Sequence, residues 1–205
     1  MRVLILSACL LLLSFQTHAY GYVSSSKTSG YVNINLGATQ FGFVDQFLED
    51  YEITPSPSLE VLFGGRIGRS KHTWFEFSYA YNGAFKTEDS GDADGVIINT
   101  YRNQSISMGF KLTTAPHKKA AAYARLGGGR LMYELRSEIF SNTSGLLANH
   151  YQSSLTNHGY LGLGANFAIG RNARLGFEVL QKQYNFNSNA LTDNTAMVTF
   201  TRYLK

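Results

Sequence analysis

Eight charged residues are spaced through the chain so that their side chains could share one interior and do chemistry there. They are Glu60, Arg66, Glu76, Lys111, Arg125, Arg174, Glu178 and Lys182. Such a set can form a structural salt-bridge network or line an ion-conducting path. Burying an isolated charge is costly, so we expect these groups to pair with one another. The predicted site is therefore a charge network, and the conducting path stays open as an alternative.

Histidine and serine together could provide a nucleophile and its base, as lipid deacylation by a serine requires. The five histidines are His18, His72, His117, His150 and His158. His150 and His158 have Ser153 and Ser154 between them, in a segment predicted to be a loop. No histidine falls in a His-x-Ser-Asn pattern on a predicted strand, so we expect no catalytic residue and no enzyme.

Metal and cofactor chemistry finds little support. The stretch Ser90–Gly95 is superficially similar to a calcium loop, but it has Ser90 where the first aspartate belongs and Tyr101 where the bidentate glutamate belongs. No zinc spacing, phosphate loop or nucleotide fingerprint is present. The single cysteine, Cys9, lies in the N-terminal apolar run. We predict no cofactor and no metal.

The elements that must position the charged residues are strands, because apolar and polar residues alternate with a period of two. The predicted strands cover 31–41, 59–68, 75–82, 105–112, 122–135, 161–169, 173–182 and 195–204. In the fifth run the apolar phase changes after Gly127–Gly129, which puts Leu131 and Tyr133 on the apolar face. A glycine bulge would produce that change.

The connections alternate in length. Short turns are predicted near residues 70–72, 113–119 and 170–172, and long loops at 42–58, 83–97, 136–158 and 184–194. Short turns at one end and long loops at the other are typical of an up-and-down outer-membrane barrel. The sequence therefore predicts an all-β fold, a closed antiparallel eight-stranded transmembrane β-barrel.

The composition of the two faces indicates which one is outside. Only 16% of the residues are charged, against roughly 25% in an ordinary soluble domain. The polar face consists mainly of Gly, Ser, Asn and Thr, which suits a crowded interior. The opposite face is aliphatic and aromatic on every strand, which suits lipid. A soluble lipocalin-like barrel would also alternate, but its outer face would carry more charge.

The first residues are typical of a secretory signal. Arg2 precedes an apolar run at 3–13, and Thr17-His18-Ala19 predicts cleavage between Ala19 and Tyr20. The expected organisation is a signal peptide at 1–19, a short periplasmic segment at 20–29 and the barrel domain at 30–205. The pI is about 9.1. Acidic residues concentrate in the first two long loops and basic ones in the short turns, so no nucleic-acid partner is expected.

Several segments resemble the small outer-membrane β-barrel family, which includes the OmpA-type transmembrane domain, OmpX, Ail and the opacity-like proteins. They are GYVNINLGATQFG from Gly30, LFGGRIGR from Leu62, WFEFSYAYNG from Trp74 and YARLGGG from Tyr123. The resemblance covers 30–205. It implies the outer membrane of a Gram-negative bacterium, contact with its lipids and lipopolysaccharide, and recognition by the barrel assembly machinery.

The functional hypothesis is a non-catalytic outer-membrane barrel with four exposed loops and a structural role, which also allows adhesion to an extracellular ligand. A small porin-like channel is the main alternative, and a lipid-modifying enzyme is the third. The loop at 136–158 is the best candidate for recognition, because it mixes polar residues with apolar ones. Those apolar residues are Ile139, Phe140, Leu146, Leu147 and Tyr151. Packing of these residues onto the barrel rim is the competing explanation.

Overall fold

The computed structural model describes residues 29–42, 55–91, 95–114, 119–141, 145–186 and 189–204. Eight β-strands account for nearly all of them: β1 Gly30–Gln40, β2 Ser56–Arg66, β3 Thr73–Gly91, β4 Gly95–Thr113, β5 Ala120–Ser141, β6 Gly145–Ala168, β7 Ala173–Phe186 and β8 Asn189–Leu204. The predicted signal peptide and its cleavage point lie outside the described residues. So do residues 43–54 of the first predicted loop.

The strands form one closed barrel in which each pairs antiparallel with its neighbours in sequence and β8 returns to β1. The predicted fold class is thereby confirmed. The connections at 67–72, 114–119 and 169–172 lie at the same end as Gly30 and Leu204, and we call this the turn end. The opposite end is the hairpin end. Among the described residues, no helix is long and apolar enough to cross a membrane.

Neighbouring strands are staggered. A path through directly paired residues starts at Gly30 and passes through Gly65, Phe75, Phe110, Leu126, Leu161, Gln181 and Asn194. It returns to β1 at Gln40, ten residues beyond its start (40 minus 30). With strands ~4.8 Å apart and a rise of ~3.3 Å per residue, this stagger tilts the strands by roughly 40° from the barrel axis.

Side chains alternate between an outward and an inward face along every strand. The outward face carries large apolar residues at 44–61% exposure, namely Phe63, Phe77, Met108, Leu163 and Phe177. In the closed part of the barrel the inward face is almost fully buried, and it holds eight buried charged residues. Because closure pairs the strands around the whole barrel, the backbone satisfies its own hydrogen bonds, which a lipid environment demands.

The phase change predicted in the fifth strand is wrong. Tyr123, Arg125, Leu131 and Tyr133 are all buried on the inward face, and β5 pairs with β4 without a register shift along their described pairs. The three glycines at 127–129 make space instead, since a Cβ on Gly127 would collide with the ring of Tyr160 and the backbone of β4. The apolar residues beyond them stay inside and fill the lumen.

The described irregularities lie elsewhere. One register shift in β3 falls between Tyr81 and Ala84, where Gly83 adopts a φ of 94°. This left-handed conformation favours glycine because other side chains adopt it only with strain. A second shift lies between Ile139 and Phe140, near the tip of the β5–β6 hairpin. Both are at the hairpin end, where bulges commonly modify the rims of barrels.

Three of the four predicted long loops are mainly β-structure. The segment 83–97 belongs to β3 and β4 except at 92–94, and 136–158 belongs to β5 and β6 except at 142–144. The segment 184–194 belongs to β7 and β8 except at 187–188. In 84–97 and 137–153 the sequence alternation weakens because those arms extend beyond the packed interior. In 184–194 the inward residues Tyr184, Leu191 and Asp193 remain buried. The backbone ladder nevertheless continues, so these connections are hairpins with long arms.

Three inward clusters of apolar and aromatic side chains lie at different levels of the barrel. The turn end holds Tyr31, Trp74 and Tyr203. The middle holds Tyr160, Leu180 and Met197. The hairpin end holds Phe41, Tyr101, Leu131, Tyr133, Tyr184 and Leu191. The core is therefore a column of side chains inside the barrel.

Candidate functional site

The centre of the lumen is organised around Arg125, which is completely buried on β5. Its Nε donates to Oε2 of Glu76 at 2.6 Å, and its Nη1 donates to Oε1 of Glu178 at 2.6 Å. Both Nη groups also donate to Glu60, each at 3.2 Å. One guanidinium thus joins carboxylates from β2, β3 and β7. The planar five-donor fork of arginine makes it the side chain suited to such bridging.

Aromatic and amide groups satisfy the remaining oxygens of these carboxylates. Tyr31 donates its hydroxyl to Glu76, Tyr123 donates to Glu178 at 2.9 Å, and Asn35 donates to Glu60 at 2.8 Å. A Cβ on Gly64 would overlap the ring of Tyr31, so the missing side chain at that position creates the space for the ring. Small inward residues therefore allow the large ones to reach the network.

Lys111 is buried beside this centre. Its Nζ lies 4.0 Å from Oε1 of Glu76, 4.1 Å from the centroid of the Tyr123 ring and 4.9 Å from that of Tyr31. Arg125 itself lies 5.5 Å from the ring centroid of Tyr160. A cation over an aromatic face is attracted by the ring quadrupole, so the rings compensate part of the lost hydration.

The other predicted network residues are dispersed along the barrel. Arg174 is buried near the turn end and donates to Asn166 at 2.7 Å. Arg66 is half-buried at the last residue of β2, opposite Trp74 in register. Lys182 lies towards the hairpin end. Seven of the eight residues are thus buried in the lumen, and Glu60, Glu76 and Glu178 contact Arg125 directly.

A second polar chain crosses the lumen towards the hairpin end. Lys182 donates to Asn82 and to Ser105, each at 2.9 Å. Asn82 donates to Asn103 at 2.8 Å, and Asn103 donates to Asp193 at 2.9 Å. Buried polar networks of this kind are stable only when their members are satisfied.

Asp193 was not predicted as a site residue. It also accepts hydrogen bonds from the hydroxyl of Tyr184 and from the backbone N–H of Gly42, both at 3.0 Å. With Asp193 included, the fully buried described residues carry four carboxylates and four Lys or Arg groups. Their formal charges cancel. The in-phase spacing of Asp193 with Thr195 and Thr199 on β8 could have identified it, had 184–194 been read as strand.

Aromatic side chains close the lumen on both sides of the polar groups. Tyr31 packs edge to face on Trp74 with ring centroids 5.3 Å apart, and Tyr203 lies 5.7 Å from Tyr31. At the hairpin end, Phe41 and Leu131 are 1% and 0% exposed. An eight-stranded barrel is just wide enough to be filled by side chains. The interior is therefore packed along its length.

One serine–histidine contact was missed. His158 was predicted to lie in a loop, but it is an inward residue of β6, and its Nε2 lies 2.9 Å from Oγ of Ser107. Its Nδ1 is buried and has no hydrogen-bond partner among the described atoms. A nucleophile and base also need a third group to orient the imidazole. Both residues lie beneath the apolar cluster of the hairpin end, so the arrangement resembles a packing contact more than a catalytic dyad.

The calcium-like stretch gives no metal site in the described part of the chain. Residues 92–94 lie outside the description, and no group of three or more potential His, Cys, Asp or Glu ligands occurs within it.

The arms of the hairpins form a sheet that rises beyond the closed part of the barrel. Its strands are the hairpin-end segments of β3, β4, β5 and β6, which remain paired up to Gly91–Gly95 and Ser141–Gly145. We call this four-stranded unit the protruding sheet. The described pairs of β6 with β7 end at His158 and Tyr184, so β6 continues upward along one edge of the protruding sheet.

A family model described as "Outer membrane protein beta-barrel domain" matches residues 5–202. No curated protein matches the chain. Among solved structures, Ail, the attachment invasion locus protein of Yersinia pestis, in complex with the heparin analogue sucrose octasulfate, is similar at 14% identity and a TM-score of 0.49. The alignment covers 85% of this chain and 98% of Ail.

Two further solved outer-membrane proteins are similar to this chain. A major outer membrane protein from Thermus thermophilus is 9% identical with a TM-score of 0.50, covering 86% of this chain and 100% of that one. The outer membrane protease OmpT from Escherichia coli is 6% identical with a TM-score of 0.47, covering 86% and 94%. At these identities the likeness concerns the fold, and function has to be argued from the sites.

Proposed function

The chain belongs to the outer membrane protein β-barrel domain family, and from that premise we propose that it is a non-catalytic barrel whose protruding sheet is a surface for interaction outside the cell. The protein resides in a Gram-negative outer membrane. In such barrels the short turns face the periplasm and the longer connections face outward. The turn end is then periplasmic, and the protruding sheet stands on the extracellular side.

The observation that carries this proposal is the contrast between a closed interior and an exposed sheet. The lumen is filled by the Arg125 network and by aromatic clusters at both ends. The outward wall is fixed by its contact with lipid. The protruding sheet has neither constraint, and exposed apolar residues such as Leu146, Tyr151 and Leu155 lie on it at 52–60% exposure. Recognition on a rigid scaffold usually uses such parts.

A small channel is the second candidate, because buried charges of both signs line the lumen. Ions would have to displace bridging contacts as short as 2.6 Å and pass the packed side chains of Phe41 and Leu131. Single-channel recording in planar bilayers tests this alternative. We expect no steady conductance, and a stable open level in the intact protein would favour the channel.

Within the part of the chain that the structure describes, a lipid-modifying enzyme is supported only by the Ser107–His158 contact. We expect Ser107→Ala to leave lipid A unchanged in mass spectra of cells that express the protein. A change in lipid A on expression of the parent protein, abolished by Ser107→Ala, would contradict the non-catalytic proposal.

The interaction proposal is tested by shortening the protruding sheet in register. Arg136 and Tyr151 face each other on β5 and β6, so replacing residues 137–150 by Asn-Gly joins them through a two-residue hairpin turn. A matched control replaces residues 87–99 by Asn-Gly, joining the paired Lys86 and Thr100. Binding of expressing cells to surfaces, matrix proteins and host cells is then measured.

We expect the β5–β6 truncation to lower binding while the barrel still shows heat-modifiable migration on SDS gels. The β3–β4 truncation should lower it less. Full binding by both truncated proteins would remove the protruding sheet from consideration as the recognition element.

A further inference from the structure

The two edges of the protruding sheet differ in how they are protected. The β3 edge runs from residue 84 to 91, and the charged Lys86 and Glu88 are exposed on it. The β6 edge runs from 145 to 157 as GLLANHYQSSLTN, which contains no Lys, Arg, Asp, Glu or Pro. Natural proteins protect free edges with charges, proline and bulges, since an unprotected edge pairs with other strands. The described irregularity on the β6 edge is the register shift at residue 147, near its tip, so residues 148–157 form a regular and uncharged stretch.

The β6 edge is also long and accessible. Among the described residues, no strand pairs with β6 beyond His158 on the side of β7. The last described hydrogen bond between β6 and β7 is that of the Thr156 hydroxyl, which donates to the carbonyl of Asn185 at 2.9 Å. Above it, Asn149, Tyr151 and Ser153 are exposed. At ~3.3 Å per residue, the edge offers roughly 40 Å of backbone donors and acceptors.

From this edge we infer that the partner is the β6 edge of a second copy of this chain, held in the outer membrane of an opposing cell. The inference rests on the proposed function and names its partner. An edge that lacks charge carries no repulsion against itself. Antiparallel pairing of two identical edges satisfies both rows of backbone groups and is self-complementary under a two-fold axis.

The orientation of the two barrels determines whether the second copy lies in the same membrane or in an opposing one. Two copies in one membrane are related by an axis along the membrane normal, so their β6 strands cannot run antiparallel. With strands tilted by roughly 40°, those two edges would also cross at a steep angle. An antiparallel pair needs a two-fold axis perpendicular to the sheet and therefore parallel to the membrane plane. That axis turns the second barrel to face the first.

A single pair of edges is small compared with the roughly 1,200–2,000 Å² of a stable specific interface, so each contact should be weak. Many copies on two apposed membranes act together, and their combined strength exceeds that of each pair by orders of magnitude. The expected activity is thus homotypic adhesion between membranes, with little dimerisation in dilute detergent solution.

The experiment uses the full folded protein in phosphatidylcholine vesicles, with vesicle clustering measured by turbidity and by energy transfer between two dye-labelled populations. We expect protein-bearing vesicles to cluster with one another and not with bare vesicles. Tyr151→Lys/Ser153→Lys should lower the clustering rate about tenfold or more, because multivalent binding weakens steeply with each contact. Mixing this variant with Tyr151→Glu/Ser153→Glu should restore clustering.

The matched control, Ile98→Lys/Thr100→Lys, adds the same charge to β4 in the middle of the protruding sheet, and it should cluster like the parent. Equal losses in both lysine variants would point to general charge repulsion and overturn the edge assignment. Clustering with bare vesicles would indicate lipid binding and also overturn it. If vesicles do not cluster but the β5–β6 truncation still reduces binding of cells to matrix or host surfaces, the self-pairing is refuted while the proposed function stands.

Discussion

Removal of the Arg125 guanidinium is the perturbation that probes the lumen most directly. Arg125→Met keeps a side chain of similar length. It leaves three buried carboxylates, Glu60, Glu76 and Glu178, without their cation. Unit charges ~4 Å apart attract by about 4 kcal/mol at an effective dielectric constant near 20. The three attractions do not simply add to stability, because the desolvation of every ion opposes them.

The measurable quantity is the cost of leaving charge uncompensated. Breaking a buried pair by removing one partner costs about 3–5 kcal/mol, and here one removal affects three partners. Lys111, 4.0 Å from Glu76, compensates only part of the loss. We therefore expect Arg125→Met to lower the free energy of unfolding by at least about 3 kcal/mol, a large share of the ~5–15 kcal/mol typical of folded domains.

Urea unfolding in detergent micelles, followed by the mobility shift on unheated SDS gels, measures this loss. Arg130→Met is the matched control, because Arg130 is an exposed outward residue of the same strand. The triple variant Arg125→Met/Glu60→Gln/Glu178→Gln removes two of the uncompensated charges, leaves Glu76 beside Lys111 and should recover much of the stability. Equal midpoints for Arg125→Met and Arg130→Met would refute the view that the network stabilises the barrel.

Three further outcomes are expected. Gly64→Leu should destabilise the barrel, since its side chain would occupy the space of the Tyr31 ring, whereas Gly65→Leu points outward into open space and should change the urea midpoint little. His158→Ala should leave lipid A unchanged and lower stability only modestly, because it empties a buried contact with Ser107; lipid A mass spectra and urea unfolding check the two parts. The folded protein from outer membranes should migrate differently before and after boiling in SDS, because its closed ladder has no free edge in the membrane-spanning part; identical migration would argue against the barrel.

The sequence predicts the barrel well because its strands obey one rule over most of their length. Where one face contacts lipid and the other lines a crowded lumen, as at Phe75 and Glu76, alternation is strict and both the strand and its faces follow from it. Where neither face is constrained, as in residues 137–153, the alternation is lost, and the local sequence of these strands is typical of a loop. Backbone pairing there depends on the neighbouring strand, which a local pattern does not contain.

The sequence predicts which types of residue fill the lumen, but it does not predict how they are arranged. Charges on the polar face had to pair, but the choice of Arg125 as the centre depends on which strands the stagger brings level. The alternation rule assigns apolar residues to the lipid face. It therefore does not predict that apolar residues such as Leu131 and Met197 lie on the inward face. A narrow barrel excludes water from its interior, so apolar and charged residues are packed there side by side.

The stagger also limits the thickness of membrane that the barrel fits. On β8, the outward apolar residues Ala196, Val198, Phe200 and Leu204 lie on the turn-end side of the exposed Asn194, with Arg202 among them. The ten residues from Asn194 to Leu204, at ~3.3 Å each and a tilt of roughly 40°, give a hydrophobic height of about 25 Å. That height is less than the ~30 Å hydrocarbon core of an average bilayer, and bacterial outer membranes are thinner than that average. Hydrophobic mismatch would therefore oppose insertion of this barrel into thicker membranes, and its short outward strands help to match it to the outer membrane.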